Sequence, residues 1–562
     1  SFPTRRSSDL TDATREVPET RWHAARFHDP SGSKIGKMVT RRGGFLAEID
    51  QFDPQFFGIS PREAHSLDPQ QRLLLQTTWE ALEDAGIPAD GLAGSDVGVF
   101  VGGFTLDYQL LQNHGRGSRY RFKAHSATGM MMTMLANRIS HAFDFRGPSM
   151  SVDTACSSSL VAVHLAAQSI WSGECQLAVV GGVNIMGGPN TAIAESTSGF
   201  LSPDGRSKAF DDSADGYARG EGGAVVVLKP LAHALQNGDD IYAQILGTAV
   251  SQDGHTDGIT VPREDAQHAA ITTALHRAGV QAADVGYVEA HGTGTSLGDP
   301  IEAQAAGEVL GAGRDPGQPL LIGSAKTNIG HSESAAGVVG LIKVIQAMRN
   351  DVIPANINYS APNRYIDFEA ERLQVVEDPR EWPEYSGRKV AGVSGFGFGG
   401  TNAHVVLTDY RGTPAEREPQ LSTDTVALPV SGLLPSRRAR AAALLADFIE
   451  AEKPALVDVA RTVARRNHSR SRAVVVASSA EEAVKRLRQV AEGKVSVGIA
   501  AADSPQVPGP VFVYSGFGSQ HRKMAKDMIA LSPQFKARLE ELDAIVDFES
   551  GWSILDIVND DA

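Results

Sequence analysis

MSVDTACSSSL, residues 150–160, is the stretch from which the fold is read. Residues 150–152 suit a short strand. From Leu160 onward Val163, Ala167 and Ile170 recur at helical spacing. Cys156 therefore falls at a strand-to-helix turn, on the first turn of a helix. Free N–H groups and the positive end of the helix dipole favour a thiolate there. The arrangement is the thiol counterpart of a nucleophile elbow. The plain alternative is a buried structural cysteine, and Cys175, in GECQ at 173–176, fits that alternative.

The same strand-turn-helix pattern extends outward. The apolar runs 97–101, 177–180, 224–228 and 405–407 read as buried strands. They alternate with helical patterns at 70–85, 157–170, 266–278 and 335–348, which argues an α/β protein of layered sheets and helices. Two more junctions carry histidines. His291 lies in EAHGTGTSLGDPIE (289–302), after a strand ending at 288. Asp299 reads as the cap of the next helix, with Pro300 at its first position and Glu302 closing a capping box. Thr293 and Thr295 offer hydroxyls to a polar, amide-bearing ligand arm. His331 lies in GSAKTNIGHSESAAG (323–337), between a strand at 320–322 and a helix from 335, with Lys326 in the same loop. Either histidine alone reads as a hydrogen-bonded structural residue. Three reactive side chains at three strand-to-helix junctions point to one site, because α/β folds gather ligands at the C-terminal ends of their strands.

GFGFGGTNAH (395–404) contains GxGxxG but precedes a strand, so it lacks the context of a dinucleotide site. Its glycines allow backbone to approach a ligand that Phe396 or Phe398 would cover. GHSES (330–334) lacks the final glycine of a serine-hydrolase elbow. With no CxxC, HExxH or Walker loop, neither metal nor nucleotide is implied.

At 562 residues the chain has room for several domains, and 42% hydrophobic with 21% charged residues is ordinary for globular protein. A net charge of −15 argues against nucleic acid or an anionic membrane as partner. Two cysteines exclude a disulfide framework and make a reducing cytoplasm the expected location. No signal peptide is expected, since residues 1–10 hold no apolar stretch, and no apolar run approaches the roughly 18 residues of a membrane span. Composition changes after Tyr410: 413–425 reads as a linker, 437–452 and 480–492 as helices, 472–477 as a strand and 501–510 as a loop. A strand at 511–514 opens a further domain. Residues 1–10, SFPTRRSSDL, resemble translated sequencing-adapter sequence and are read as non-native. Residues 553–562 stop inside a helical pattern, as in a fragment of a longer polypeptide.

Taken in order, LDPQQR (67–72), DTACSSSL, EAHGTGTSLGDPIE, KTNIGH and GFGFGGTNAH resemble the ketosynthase of type I polyketide and fatty acid synthases, over roughly residues 12–410. The resemblance implies the thiolase fold: five layers, αβαβα, in two similar halves (to about 235 and from about 240), working as a homodimer. It divides the chain into a ketosynthase at 11–411, a ketosynthase-to-acyltransferase linker at 412–505 and the start of an acyltransferase domain in cis at 506–562. In VFVYSGFGSQHRKM (511–524) Phe517 replaces the usual Gln, a form that resembles the mycolic-acid condensing synthase of mycobacteria. The implied reaction is a decarboxylative condensation with Cys156 as acyl acceptor and His291 and His331 as donors to the enolate oxygen. The backbone N–H groups of Cys156 and Phe398 would hold a second oxyanion, and Lys326 and Glu333 would support the histidines. Thr293, Thr295, Phe396, Gly399 and Asn402 would meet the phosphopantetheine arm of an acyl carrier protein, so no tightly bound cofactor is expected. Phe104, Met130, Met131, Met132 and Met134 are candidates for an acyl tunnel, with core packing as the alternative. The competing readings are a thiolase-like acyltransferase and a truncated, non-catalytic synthase fragment.

Overall fold

A computed structural model describes residues 11–115, 117–412, 425–503 and 524–559. The expectations for residues 1–10, for the linker centred on 413–424, and for the strand and GFGSQ motif at 511–520 lie outside the described residues. The chain divides into two compact units, 1–413 and 414–562.

In the first unit β1 (Thr14–Glu16) and β2 (Arg42–Gly44) form a small antiparallel pair. The first large sheet holds β3 (Val97–Gly102), β4 (Ser149–Val152), β5 (Leu177–Asn184) and β6 (Gly222–Leu228) in the order β4-β3-β5-β6, with only β6 antiparallel. Then come β7 (Gln244–Gln252), β8 (Tyr287–Glu289), β9 (Leu320–Gly323), β10 (Val352–Ile353), β11 (Leu373–Val375), β12 (Arg380–Glu381), β13 (Val390–Phe396) and β14 (Thr401–Thr408). β10 pairs with β12, and the rest form the second sheet, β11-β9-β8-β13-β14-β7. Its β11, β9, β8 and β13 are parallel.

Every residue of β3 and β5 is buried, the pattern of a sheet covered on both faces. The helix Ser158–Trp171 is apolar nearly all round and buries Leu160, Val161, Ala162, Val163, Ala166 and Ala167. Such a helix belongs inside a protein. It packs on β3 and β5 on one side and on β14 and β7 on the other, beside the helix Ala336–Asn350, which meets β13, β5 and β6. One core joins Phe100 and Val180 of the first sheet to Leu321 and Val393 of the second through Leu160, Leu341 and Val344. The helices Pro69–Asp84 and Met134–Phe143 cover the outer face of the first sheet, and Glu264–Ala278 covers that of the second, with Gly298–Ala306 beside it. The layers are therefore αβαβα, the thiolase-like arrangement. Both central helices start where a candidate loop ends, which puts their N-termini at the site.

The second unit carries β15 (Val426–Gly432), β16 (Ser471–Ala477) and β17 (Ile499–Asp503) in an antiparallel sheet of that order. The helices Pro435–Glu452, Leu456–Ala464 and Ala480–Ala491 build a core around Leu428, Ala446, Val475 and Leu487. The loop expected from residue 501 is corrected: Ala501, Ala502 and Asp503 finish β17 opposite Ala473, Arg472 and Ser471. Alanine has little strand preference of its own, but pairing to a formed neighbour overrides it. Asp503 adds bonds from Arg438 and Ser471. Among the described residues no helix is long and apolar enough to cross a membrane.

Candidate active site

The C-terminal ends of β4, β8, β9 and β13 converge, and each supplies part of one cluster. Cys156 follows β4 in a single turn, Ala155–Ser157, that leads into the Ser158–Trp171 helix. Ala155 sits at φ 55°, in the left-handed region that side chains avoid. Strain of this kind persists where the surroundings over-determine it. Here Ala155 N–H donates to Asp153 and the Ser158 hydroxyl donates to Ala155 O. The cysteine is thus held on an elbow.

One ligating atom each of Cys156, His291 and His331 lie within 4.8 Å of one another. The two rings stand edge to face with centroids 5.4 Å apart. Cys156 and His331 are buried, and His291 is partly exposed. The three residues, 175 positions apart from first to last, thus come together in one cluster.

The protonation pattern follows from neighbours. Glu333 N–H donates to His331 Nδ1 at 3.1 Å. That nitrogen is an acceptor, so neutral His331 carries its proton on Nε2, which has no partner among the described residues. Burial, then the charge of Lys326, hold both histidines well below their usual pKa. Both are neutral in the physiological range. His331 therefore presents an N–H rather than a lone pair, which suits a hydrogen-bond donor to an anion and not a metal ligand.

The expected resting thiolate is corrected. Burial pushes the Cys156 thiol up, to about 12, with Glu333 and Glu195 acting in the same direction. Lys326 and the Phe398 N–H pull the other way. Only a small thiolate fraction exists at neutral pH, and the proton must leave as the sulfur attacks. Alkylation of Cys156 by iodoacetamide is accordingly expected to rise about tenfold per pH unit from 7 to 10 without levelling near the ~8.5 of an ordinary cysteine. Rates read by mass spectrometry check this, and a plateau below pH 9 would contradict it.

The expected capping box is also corrected. The helix Gly298–Ala306 has Leu297 at its N-cap and no side-chain cap. Glu302 instead accepts from His291 N–H at 2.6 Å and Gly292 N–H at 2.7 Å. Asp299 accepts from Gly294 N–H at 3.0 Å and Phe210 N–H at 2.7 Å. Both carboxyls are buried, and burial raises them to about 7 and about 6. They stitch the His291 loop to the helix that follows it, a stronger demand than capping their own helix. Gly294, at φ 80°, would drive a Cβ into Lys208 N, so only glycine lets this loop lie there.

Lys326 is 7% exposed and its ammonium donates to His291 O, holding that residue by its backbone. The Glu333 carboxylate faces Arg219, so this residue meets His331 through its N–H alone. Phe398 N–H bonds the Cys156 sulfur, while its exposed ring lies 5.9 Å from Phe104 and 6.2 Å from Phe200. A Cβ on Gly397 would strike Thr154 O, so glycine brings this turn against the elbow. Phe396 stands 5.6 Å from the His291 ring. The Thr293 and Thr295 hydroxyls are 3.1 Å apart on the His291 loop. Gly399 is exposed on the turn before β14. Asn402 is different: it is buried and its amide donates to Asp253 and Gly400 O. These bonds fix the amide at the foot of the turn that carries Phe398 and Gly399. Cys175 is buried against Ser169, outside the cluster and partnered by a hydroxyl.

Sequence reading missed a buried polar floor. Tyr217 stacks edge-on to His331 at 5.0 Å, and Arg219 lies between Glu195 and Glu333. The signal was GYARGEGG (216–223): charged residues inside a glycine-rich run that leads straight into the apolar strand β6.

The β-ketoacyl synthase N-terminal domain model matches residues 8–234, the β-ketoacyl synthase C-terminal domain model 242–360, the ketoacyl-synthetase C-terminal extension 362–476 and the acyl transferase domain 511–562. A phenolphthiocerol/phthiocerol polyketide synthase polypeptide of Mycobacterium tuberculosis is 44% identical over 550 residues, 97% of this chain and 29% of that protein. A second polypeptide of the same synthase is 43% identical over 554 residues, covering 97% and 35%. The chain thus spans about a third of the length of these curated relatives. Among solved structures, an oxazolomycin ketosynthase domain of Streptomyces albus JA3453 is 37% identical with a TM-score of 0.80, over 87% of this chain and 85% of that one. The ketosynthase from module 6 of the bacillaene synthase of Bacillus subtilis 168 is 32% identical with a TM-score of 0.77, over 98% and 90%. The likeness to a mycolic-acid condensing synthase rests on residues 511–524, nearly all outside the described residues.

Proposed function

The chain belongs to the β-ketoacyl synthase family, acyl-transferring enzymes that condense acyl and malonyl units, and on that premise we propose that Cys156, His291 and His331 carry out a decarboxylative Claisen condensation in polyketide or fatty acid biosynthesis. The observation that supports it best is the sulfur and two neutral imidazoles within 4.8 Å, with the His331 proton on the unpartnered Nε2.

An acyl group arrives as a thioester on the phosphopantetheine arm of an acyl carrier protein. The Cys156 sulfur attacks its carbonyl, the carrier thiol leaves with the proton, and an acyl-enzyme remains. A malonyl-type thioester then enters on a second carrier. Its carbon–carboxylate bond breaks, carbon dioxide departs, and the electron pair settles as an enolate. His331 Nε2–H and the His291 ring stabilise the enolate oxygen, and one such preorganised donor contributes about 3 kcal/mol. The enolate carbon attacks the acyl-cysteine carbonyl. That oxyanion is held by the N–H groups of Cys156 and Phe398, and its collapse frees the sulfur and a β-ketoacyl thioester. Lys326 and Glu333 hold the two histidines, and Thr293, Thr295, Phe396, Gly399 and Asn402 line the path of the arm.

The same reading assigns 11–411 to the ketosynthase, 412–505 to the linker and 506 onward to an acyltransferase domain acting in cis, which the match at 511–562 supports. A homodimer is supported by β4, which is paired on one side only and leaves Met150 40% exposed at the sheet edge. Two free cysteines agree with a cytoplasmic setting.

Given an acyl carrier thioester and malonyl carrier, the protein is expected to release one carbon dioxide per β-ketoacyl product, measured with carboxyl-labelled malonyl carrier. Product formed from unlabelled acetyl thioester without decarboxylation would favour the thiolase-like reading. Neither acyl-enzyme nor product would leave the non-catalytic fragment standing.

A further inference from the structure

We propose that Arg219 is a positioning residue for the condensation: through Glu333 it fixes the tautomer in which His331 donates from Nε2. The inference deepens the reading above and rests on it for the meaning of that donor.

The segment that carries Arg219 clasps the His331 loop twice through the main chain. His331 N–H donates to Ala218 O at 2.6 Å, and Gly220 N–H donates to His331 O at 2.7 Å. This isolated bridge sets Arg219 and His331 side by side. The side chain then reaches across. Its Nε and one terminal nitrogen donate to the two oxygens of Glu333 at 2.5 and 3.0 Å, a fork that matches a carboxylate. Both residues are nearly fully buried, at 4% and 1% exposure.

Glu333 has φ 46°, which a residue with a side chain avoids unless something holds it. That conformation aims its N–H at His331 Nδ1. Besides the guanidinium, the carboxylate is held by the Thr105 hydroxyl at 3.1 Å. Without Arg219 a buried carboxylate would keep one neutral donor and no counter-charge, an arrangement that drives it to move or to take up a proton. Once the side chain is released, the backbone is free to leave the left-handed region and its N–H to leave Nδ1. The imidazole proton can then reside on Nδ1, turning Nε2 into an acceptor where an enolate oxygen needs a donor.

The second acid at the guanidinium, Glu195, takes neither hydrogen bond of this fork. Its Oε2 lies 2.9 Å from Arg219 Nε but in no hydrogen-bond geometry, and it lacks a partner. Burial raises that carboxyl to about 8, against the pull of Arg219. One terminal nitrogen of Arg219 also lacks a partner. The guanidinium is thus oriented by the carboxylate of the residue that positions His331.

The test uses the whole chain with 15N-labelled histidine, the His331 signals being assigned by their loss in His331→Ala. In the unaltered protein Nδ1 is expected in the unprotonated form and Nε2 in the protonated form. In Arg219→Met the two should average or invert. Decarboxylation kcat should fall about 100-fold, the scale of a misplaced catalytic group, with KM changing by less than about threefold, while Arg219→Lys should recover to within about tenfold. The tautomer readout needs no turnover, so it fails or succeeds independently of whether the chain condenses anything. A folded Arg219→Met that keeps the single Nε2–H tautomer overturns the proposal. Should that variant not fold, Glu333→Gln carries the test, since an amide cannot keep the ionic fork; an unchanged tautomer there overturns the proposal equally.

Discussion

Cys156→Ala is expected to abolish acyl-enzyme formation, with condensation falling on the order of 10⁶-fold, the scale on which an enzyme loses its nucleophile. Nothing nearby can replace the sulfur. The Ser157 hydroxyl donates to Thr154 O and the Ser158 hydroxyl to Ala155 O, and both residues are fully buried. Cys175 is 1% exposed against Ser169. The substitution should leave the fold intact. It removes one atom from a half-turn whose shape is set by Ala155 and the bonds around it, and a loss of about 1 kcal/mol is the scale for so small a buried truncation. The histidines also keep their geometry, so the variant should still decarboxylate malonyl carrier without condensing it. Intact-protein mass spectrometry after incubation with acyl carrier should show the acyl adduct on the unaltered chain and none on the variant. An adduct on another residue of Cys156→Ala would take the nucleophile's role away from Cys156.

The site was legible because its three reactive residues stand in long local motifs whose strand-turn-helix context can be read from spacing. The fold was legible in two steps. The alternation of apolar strand runs with helical patterns gave only layered sheets and helices; the five layers came from the ordered motifs and their resemblance to the ketosynthase family, and the structure bears them out with Ser158–Trp171 packed between the two sheets. What escaped depends on contacts distant in sequence. Glu302 and Asp299 look like capping residues in one dimension and become loop ties only once residues 291–294 fold back over them. Arg219 meets Glu333 across 114 positions, and no spacing rule connects them. The thiol was misread for the same reason. The helix N-terminus is visible in the sequence, whereas the burial and the two carboxylates that outweigh it belong to the assembled core. β17 likewise forms because β16 offers it an edge, not because alanines prefer strands.

The second large effect is expected at His331. His331→Ala should lower malonyl decarboxylation and condensation by about 10²–10³-fold, the loss that follows removal of one preorganised oxyanion donor. Acylation of Cys156 should survive. The sulfur, its elbow and the Phe398 N–H are held by bonds that do not involve the imidazole. The substitution separates the two half-reactions, so each is measured alone: adduct mass for the first, release of labelled carbon dioxide in a single turnover for the second. His331→Ala also leaves the buried Glu333 N–H without its acceptor, so some loss of stability accompanies the loss of rate. Circular dichroism before the kinetics separates the two. The unaltered enzyme supplies the complementary evidence. With both imidazoles held neutral by burial and by Lys326, the ring 15N shifts of His331 should be flat between about pH 6 and 8 and show no step near 6.5, where an ordinary histidine gains its charge. Normal carbon dioxide release by His331→Ala would show that the enolate is stabilised by His291 alone, and a step in the His331 ring 15N shifts near pH 6.5 would show that the donor is an imidazolium rather than the neutral Nε2–H that Glu333 enforces.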